Sequence, residues 1–365
     1  MSLVGFLILL IEIVIYFILL KKFIRFHGYY YIVFSLLLFL WHQMFAVINW
    51  DYSLNNTADS TFFYEVAKNS YVNWGVGSKF VINLLSFFDL ISQRQLTYLD
   101  GFILFSMFGL VGHLLLVDAF STIAPDYLTK FWWIHFIPGL HFWTVAIGKD
   151  GLAFLAVSLF IWALVRFKQR LIYASMAAIL LFFVRPHMAL VLTIASFGTV
   201  LFTAKLASGF RIVLGALVVI VLFFLVPYIL DFVKLDSLGQ LESYVNKRQY
   251  YNQIGGSGIP LHTYSLPLAV VTYLFRPLFV DTSGVTGMVV SIENMIYILG
   301  FGVYGVQSEL LNRPKIFKTP CVLIRNFIHN HRNFVISGYN GKYGYSNSTE
   351  NDDYSILYIT FCNVL

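Results

Sequence analysis

The chain opens with MSLVGFLILLIEIVIYFILLKKFIRF, apolar from residue 3 to residue 20 but for Glu12 and then abruptly basic. About 20 consecutive apolar residues are what an α-helix needs to cross the hydrocarbon of a bilayer, where each backbone polar group must find its partner within the helix. Runs of near-spanning length recur to residue 306, which constrains the chain to an all-α, polytopic transmembrane helical bundle of about 9-10 spans. Composition agrees: 59% hydrophobic against 12% charged leaves too few polar groups to coat a water-soluble domain of this length. No basic residue precedes the first run and no small-residue cleavage site follows it, so it reads as a retained span.

Spans are expected near 3–20, 31–49, 99–117, 131–147, 151–166, 171–184, 187–205, 212–230 and 286–306. Three basic clusters fall between them: Lys21, Lys22 and Arg25; Arg166, Lys168 and Arg170; Lys205 and Arg211. Counting spans puts all three on one side, which the positive-inside rule makes cytoplasmic. The N-terminus is then external, with the loops 50–98 and 231–262, the GKD at 148–150 and the RPH at 185–187. A tenth apolar segment, 262–279, is interrupted by Pro267 and by FRPLF; a crossing there would send the basic tail outside, so a re-entrant or interfacial path is expected. The organisation read from sequence is one membrane domain over residues 1–306 and a polar, cytoplasmic, flexible tail over 307–365.

Several chemistries have no support. Cys321 and Cys362 both lie in the tail and give neither a disulfide framework nor a thiolate metal site. The basic residues sit at the ends of apolar runs and not in a patch, so nucleic acid is not an expected partner. GLVGH lies inside a span and IGGSGI in an external loop without a preceding strand, so no nucleotide loop is present. His113, His135, His141, His187 and His262 never pair at three- or four-residue helical spacing. A metal site built locally on one helix is therefore not expected, no metal ligand is assigned and no cofactor is expected, with a divalent ion left open, and the histidines read as satisfied bundle or interfacial residues.

What remains is a set of charges at the external helix ends. In LLFFVRPHMALVL, Pro186 suits the first turn of a helix, where its missing N–H costs nothing, and places Arg185 at the cap. The partial positive charge and free amides of that helix start sit beside the guanidinium, an arrangement that favours an anion. AIGKDG repeats the pattern with Lys149, and Asp150 is expected as N-cap; Arg276 before Pro277 would repeat it again. His187 is grouped with these residues at the same corner. Asp51, Asp59 and Glu65 follow the second span, and the spacing of Asp59, Tyr64 and Ala67 predicts a carboxylate at the start of an amphipathic helix on the membrane surface. Trp50, Trp74 and Tyr64 are suited to an aromatic belt or to stacking on sugar.

ADSTFFYEVA resembles the Asp-x-x-x-x-Tyr-x-x-Ala pattern in the first large external loop of bacterial fold-C glycosyltransferases. FWTVAIGKDGLAF, VRPHMAL, YLFRPL and SIEN resemble segments of bacterial membrane proteins of surface-polysaccharide synthesis. The resemblance covers residues 50–300 and implies a multi-pass protein of the bacterial inner membrane. Its partners would be a polyprenyl-phosphate-linked sugar donor, a glycan acceptor and membrane lipids. It also implies Asp59 as catalytic base. Two spans precede the loop here instead of one, and no soluble external domain follows. Both departures leave room for an O-antigen or exopolysaccharide polymerase, and a lipid-linked sugar flippase is the competing class. The expected roles are Asp59 as general base, Arg185 as bidentate phosphate clamp, and Lys149 and Arg276 as supporting cations, with His187, Tyr64 and Asp150 at the substrate.

Overall fold

The computed structural model describes residues 2–27, 30–56, 58–69, 73–123, 131–203, 264–281 and 285–310, with scattered positions between 209 and 227. Among the described residues there is no strand. The helices are α1 (Leu3–His27), α2 (Tyr30–Asn55), α3 (Asp59–Asn69), α4 (Ser78–Ile91), α5 (Tyr98–Ile123), a 3-10 turn (Trp132–Phe136), α6 (Pro138–Thr144), α7 (Lys149–Val165), α8 (Phe167–Val184), α9 (Pro186–Thr203), α10 (Leu266–Phe275) and α11 (Val285–Leu310). By its contacts the chain divides into two compact units between Ser196 and Phe197, with α10 and α11 in the second.

The first unit is inside-out relative to a water-soluble bundle. Leu7, Ile11, Val14 and Ile18 of α1 and Leu36, Leu37, Leu40 and Val47 of α2 are exposed, while Glu12, Ser35, His42, Ser106, His113 and Asp118 are buried. In water the apolar stripe turns inward. In hydrocarbon an apolar outer surface costs nothing, and polar groups gather between helices where they can pair. Helix α5 is the axis of the unit, 78% buried over its apolar window, and α1, α2, α6 and α7 all pack on it. Among the described residues three helices, Leu3–Phe23, Tyr30–Asn55 and Tyr98–Ile123, are long and apolar enough to cross a membrane, and the bent pair Pro138–Thr144 and Lys149–Val165 would make a fourth crossing if it forms one span. Gln169–Val184, Pro186–Ser196 and Gly287–Gly300 are shorter apolar helices.

The expected span at 131–147 is not a continuous helix. It is a 3-10 turn and the seven-residue α6, followed by a bend of 109° into α7. Pro138 starts α6 because its missing N–H is tolerated in the first turn, and the extended backbone of Gly148 separates α6 from α7. The broken segment nevertheless runs along α5, from His113, whose ring lies 6.2 Å from that of His135, to Gly101, where a Cβ would meet Ile147 at 2.8 Å.

The unit has two chemically distinct ends. At one, Ser2 Oγ donates to Asp100, and Tyr98 OH donates to Ser53 Oγ at 2.8 Å. At the other, Lys22 lies 4.8 Å and Arg170 3.5 Å from the Trp162 ring, whose Nε1 donates to Asp118 at 2.7 Å. Two of the basic clusters thus share one end, as the count of spans requires. In the second unit, the ten residues of α10 extend only about 15 Å, too short for a crossing helix. The expected span 212–230 is described only in part, and loop 231–262, Lys205, Arg211, Cys321, Cys362 and the tail beyond residue 310 lie outside the described residues.

Candidate functional site

The Ser2 end carries the residues of the long loop. Helix α3 begins at Asp59, as expected, but it does not simply rest on a surface: Phe63 and Ala67 are buried in the core cluster that also holds Leu85, Phe105, Ile147 and Val184. Its polar side is tied down as well. Lys68 and Arg94 both pair with the buried Asp89 of α4, at 2.8 and 3.2 Å, and Ser86 Oγ donates to the Ala67 carbonyl at 3.0 Å. Tyr64 OH donates to the Leu96 carbonyl at 2.9 Å. Partial burial pushes its hydroxyl pKa up, so it remains a donor at neutral pH.

Beside α3, three helix N-termini meet. Arg185 Nη2 donates to Asp150 Oδ1, joining the α8–α9 junction to the first turn of α7. Lys149 Nζ donates to Ser78 Oγ at 3.3 Å, joining α7 to α4, and Gly77 N donates to the Phe183 carbonyl at 2.8 Å, closing the circuit back to α8. Gly77 adopts φ 69°, a left-handed conformation that glycine tolerates without strain. Helices α4 and α7 begin at Gly77 and Gly148 with no side-chain cap, so their first amides keep capacity for an outside acceptor. Arg185 Nε is buried without a hydrogen-bond partner. Lys149, Arg185 and the exposed Lys79, next to Ser78, bring three cations to these helix starts beside the carboxylate of Asp150.

Lys149, Asp150 and Arg185 are therefore brought together, with α9 starting at Pro186 as expected. Asp150 is not the N-cap of α7; Gly148 holds that position, and the Asp150 carboxylate, inside the first turn, is engaged by Arg185. His187 is exposed one residue past Pro186. Asp59 is exposed, and no hydrogen bond or ion pair joins it to Lys149, Asp150 or Arg185. The same helix still borders the corner, since Phe63 lies 3.9 Å from where a Cβ on Gly148 would stand.

Arg276 belongs to the second unit and departs from the expected pattern. It follows the end of α10, and Pro277 starts no helix, the next beginning at Val285. Its Nε donates to Asp281 at 2.7 Å and its Nη2 to the other carboxylate oxygen. The guanidinium holds the Asp281 pKa down to about 2, so this pair persists above that pH and Arg276 already has its counter-ion.

Sequence reasoning missed Ser78 and Gly77, although two glycines around Val76 before a serine and a lysine are a local sign of backbone shaped to meet something. It also read the histidines as satisfied, whereas both ring nitrogens of the buried His113 lack a hydrogen-bond partner. Comparison with family models, curated proteins and solved structures finds no match to the chain.

Proposed function

We propose that this chain is a bacterial inner-membrane glycosyltransferase that takes a sugar from a polyprenyl-phosphate donor at the external membrane face during surface-polysaccharide assembly. The reading takes the chain as a polytopic bundle of about 9-10 spans with the Ser2 end outside and the Lys22 and Arg170 end in the cytoplasm. The observation that carries it is the corner itself, where residues as far apart as Ser78 and Arg185 come together with Lys149 and Asp150 around uncapped helix starts. With that end at the external membrane face, as the reading takes it, a lipid phosphate is the anion at hand.

A glycosyl phosphate carries its own leaving group, so the protein has three tasks: place the acceptor hydroxyl, accept its proton and stabilise the departing phosphate. The hydroxyl oxygen bonds to the anomeric carbon as the bond from that carbon to the phosphate oxygen breaks. The electron pair leaves with the phosphate, held by Arg185 and Lys149, and the proton passes to Asp59, whose exposed carboxylate has no competing ion pair. Asp150 positions the guanidinium.

A polymerase would use the same corner on the pyrophosphate of a growing lipid-linked glycan. A flippase is favoured by a different feature: Glu12 is buried within α1, takes a hydrogen bond from Gln43 and leaves Oε2 without a partner. Glycan and lipid-linked oligosaccharide analysis of a deletion strain separates the three. The proposal expects a glycan lacking one sugar; loss of long chains alone indicates a polymerase, and a complete intermediate retained on the cytoplasmic side indicates a flippase.

A further inference from the structure

Four histidines from four helical elements meet inside the first unit. His42 from α2, His113 from α5, His135 from the 3-10 turn and His141 from α6 are all buried, the first, second and fourth completely. The donor nitrogens of His42, His113 and His141 lie within 4.8 Å of one another. The His113 ring stacks on His141 with centroids 4.3 Å apart and planes at 12°.

The hydrogen bonds fix the protons. His42 Nε2 lies 3.0 Å from the Ser106 carbonyl, and His141 Nε2 bonds the His135 carbonyl. A carbonyl only accepts, so each ring donates its Nε2–H, and a neutral imidazole carries no second proton. The two Nδ1 atoms, 2.7 Å apart, then face each other as lone pairs. Two facing lone pairs at that distance repel, and a cation at the pair, either a proton or a metal ion, relieves the repulsion. A ligating histidine commonly gives its remote N–H to a backbone carbonyl, which sets the tautomer and the ring plane, and both rings do so here. His113 supplies a third ring whose nitrogens have no other use.

The surroundings are shaped for the cluster. A Cβ on Gly109 would come within 2.8 Å of His42 Nε2 and 2.6 Å of the Thr144 carbonyl, so only glycine lets α2 and α6 approach α5 this closely. Phe45 stacks on His141, and Phe154 lies 4.6 Å from the His113 ring, placing aromatic carbon around the polar centre. An acid is linked to it: Gln43 donates both to Glu12 and to Ser106 Oγ, on the residue whose carbonyl holds His42.

We propose that His42, His113 and His141 bind a first-row transition-metal ion of the zinc or copper type through the two Nδ1 atoms and one nitrogen of His113. Three imidazoles without thiolate or hard carboxylate ligands select these ions over magnesium or calcium. At metal–nitrogen distances of about 2.0–2.1 Å the ligand atoms stand about 3.3 Å apart, so loading opens the Nδ1 pair and turns the His113 ring out of its stack on His141 to bring a nitrogen to the ion. The ion staples the broken segment 132–148 to α2 and α5, and its role does not depend on the glycosyltransferase reading.

The test uses the full chain purified in detergent from cells supplied with zinc and copper, with metal content read by mass spectrometry and thermal unfolding followed before and after chelation. The proposal expects stoichiometric zinc or copper, a lower unfolding temperature after chelation, and recovery with the same ion but not with magnesium or calcium. His113→Phe keeps the aromatic packing on His141 and Phe154, so it is expected to fold and to lose the metal. X-ray absorption of the loaded protein should show imidazole scattering, and whichever ion is found identifies the metal. Wild-type protein with background metal and no unfolding shift on adding either ion overturns the site in favour of a shared proton. Full metal retention in folded His113→Phe also overturns the three-histidine assignment.

Discussion

Arg185 offers five N–H donors in one plane, and Asp150 occupies only part of that fork; Nε is buried and unpaired. Arg185→Lys keeps the charge but cannot keep the ion pair and present a second prong to phosphate. Transfer per folded molecule is expected to fall by about 1–3 kcal/mol in transition-state terms, the scale of a charged hydrogen bond. Wild-type rates in the lysine variant would make Arg185 a headgroup anchor. Asp59 and Asp150 are separated by a second pair of variants. Asp59→Asn removes basicity at nearly constant size, so turnover should drop about 10² to 10⁴-fold with donor binding little changed. Asp150→Asn weakens the hold on Arg185, so donor affinity should fall first. If Asp150→Asn shows the larger loss in turnover at unchanged binding, the base is Asp150. Sequence alone pointed to Lys149, Asp150 and Arg185, because charges are scarce in an apolar chain. It could not give the bond between Asp150 and Arg185, which depends on how α7 and α8 pack.

Elements were legible where hydropathy decides them and not where packing does. Helices α1, α2 and α5 follow from unbroken apolar runs, and α3 and α9 begin at the residues their start signals predict, Asp59 and Pro186. The break between α6 and α7 is hidden because its residues, HFWTVAIG, are as apolar as a span; their backbone turns because α5 offers glycines against which the chain can lie. The histidine cluster was missed for the same reason, since helical spacing tests one element and this site draws on three. Gly109→Ala tests the close approach: its methyl would overlap His42 and the Thr144 carbonyl, one of them backbone. Overpacking of this kind costs about 1–3 kcal/mol, to be read from unfolding in detergent. Gly209→Ala is the control, with nothing within 4 Å of the added Cβ. Equal stability of the two variants would mean that α2, α5 and α6 are less tightly held than described.

At the scale of the molecule, the two ends of the first unit differ in how they use cations. Lys22 and Arg170 lie against Trp162 at one end, the kind of pairing that holds a helix end at a membrane interface, where aromatic and basic side chains are both favoured. At the other end Lys149 and Arg185 are drawn into a network of backbone, hydroxyl and carboxylate partners. The functional proposal requires the second end to face outward, and single cysteines decide it. With Cys321 and Cys362 replaced by serine, cysteine is introduced at Trp74 and His187, both exposed at the corner end, and at Gln169, exposed beside Arg170. A membrane-impermeant maleimide on intact cells should label positions 74 and 187, and position 169 only after permeabilisation. Labelling of 169 alone would invert the protein, put the corner in the cytoplasm and remove the external lipid-phosphate donor from reach. Labelling of 74 without 187 would separate the loop from the start of α9, which contradicts the contacts joining Gly77 to Phe183 and Asp150 to Arg185.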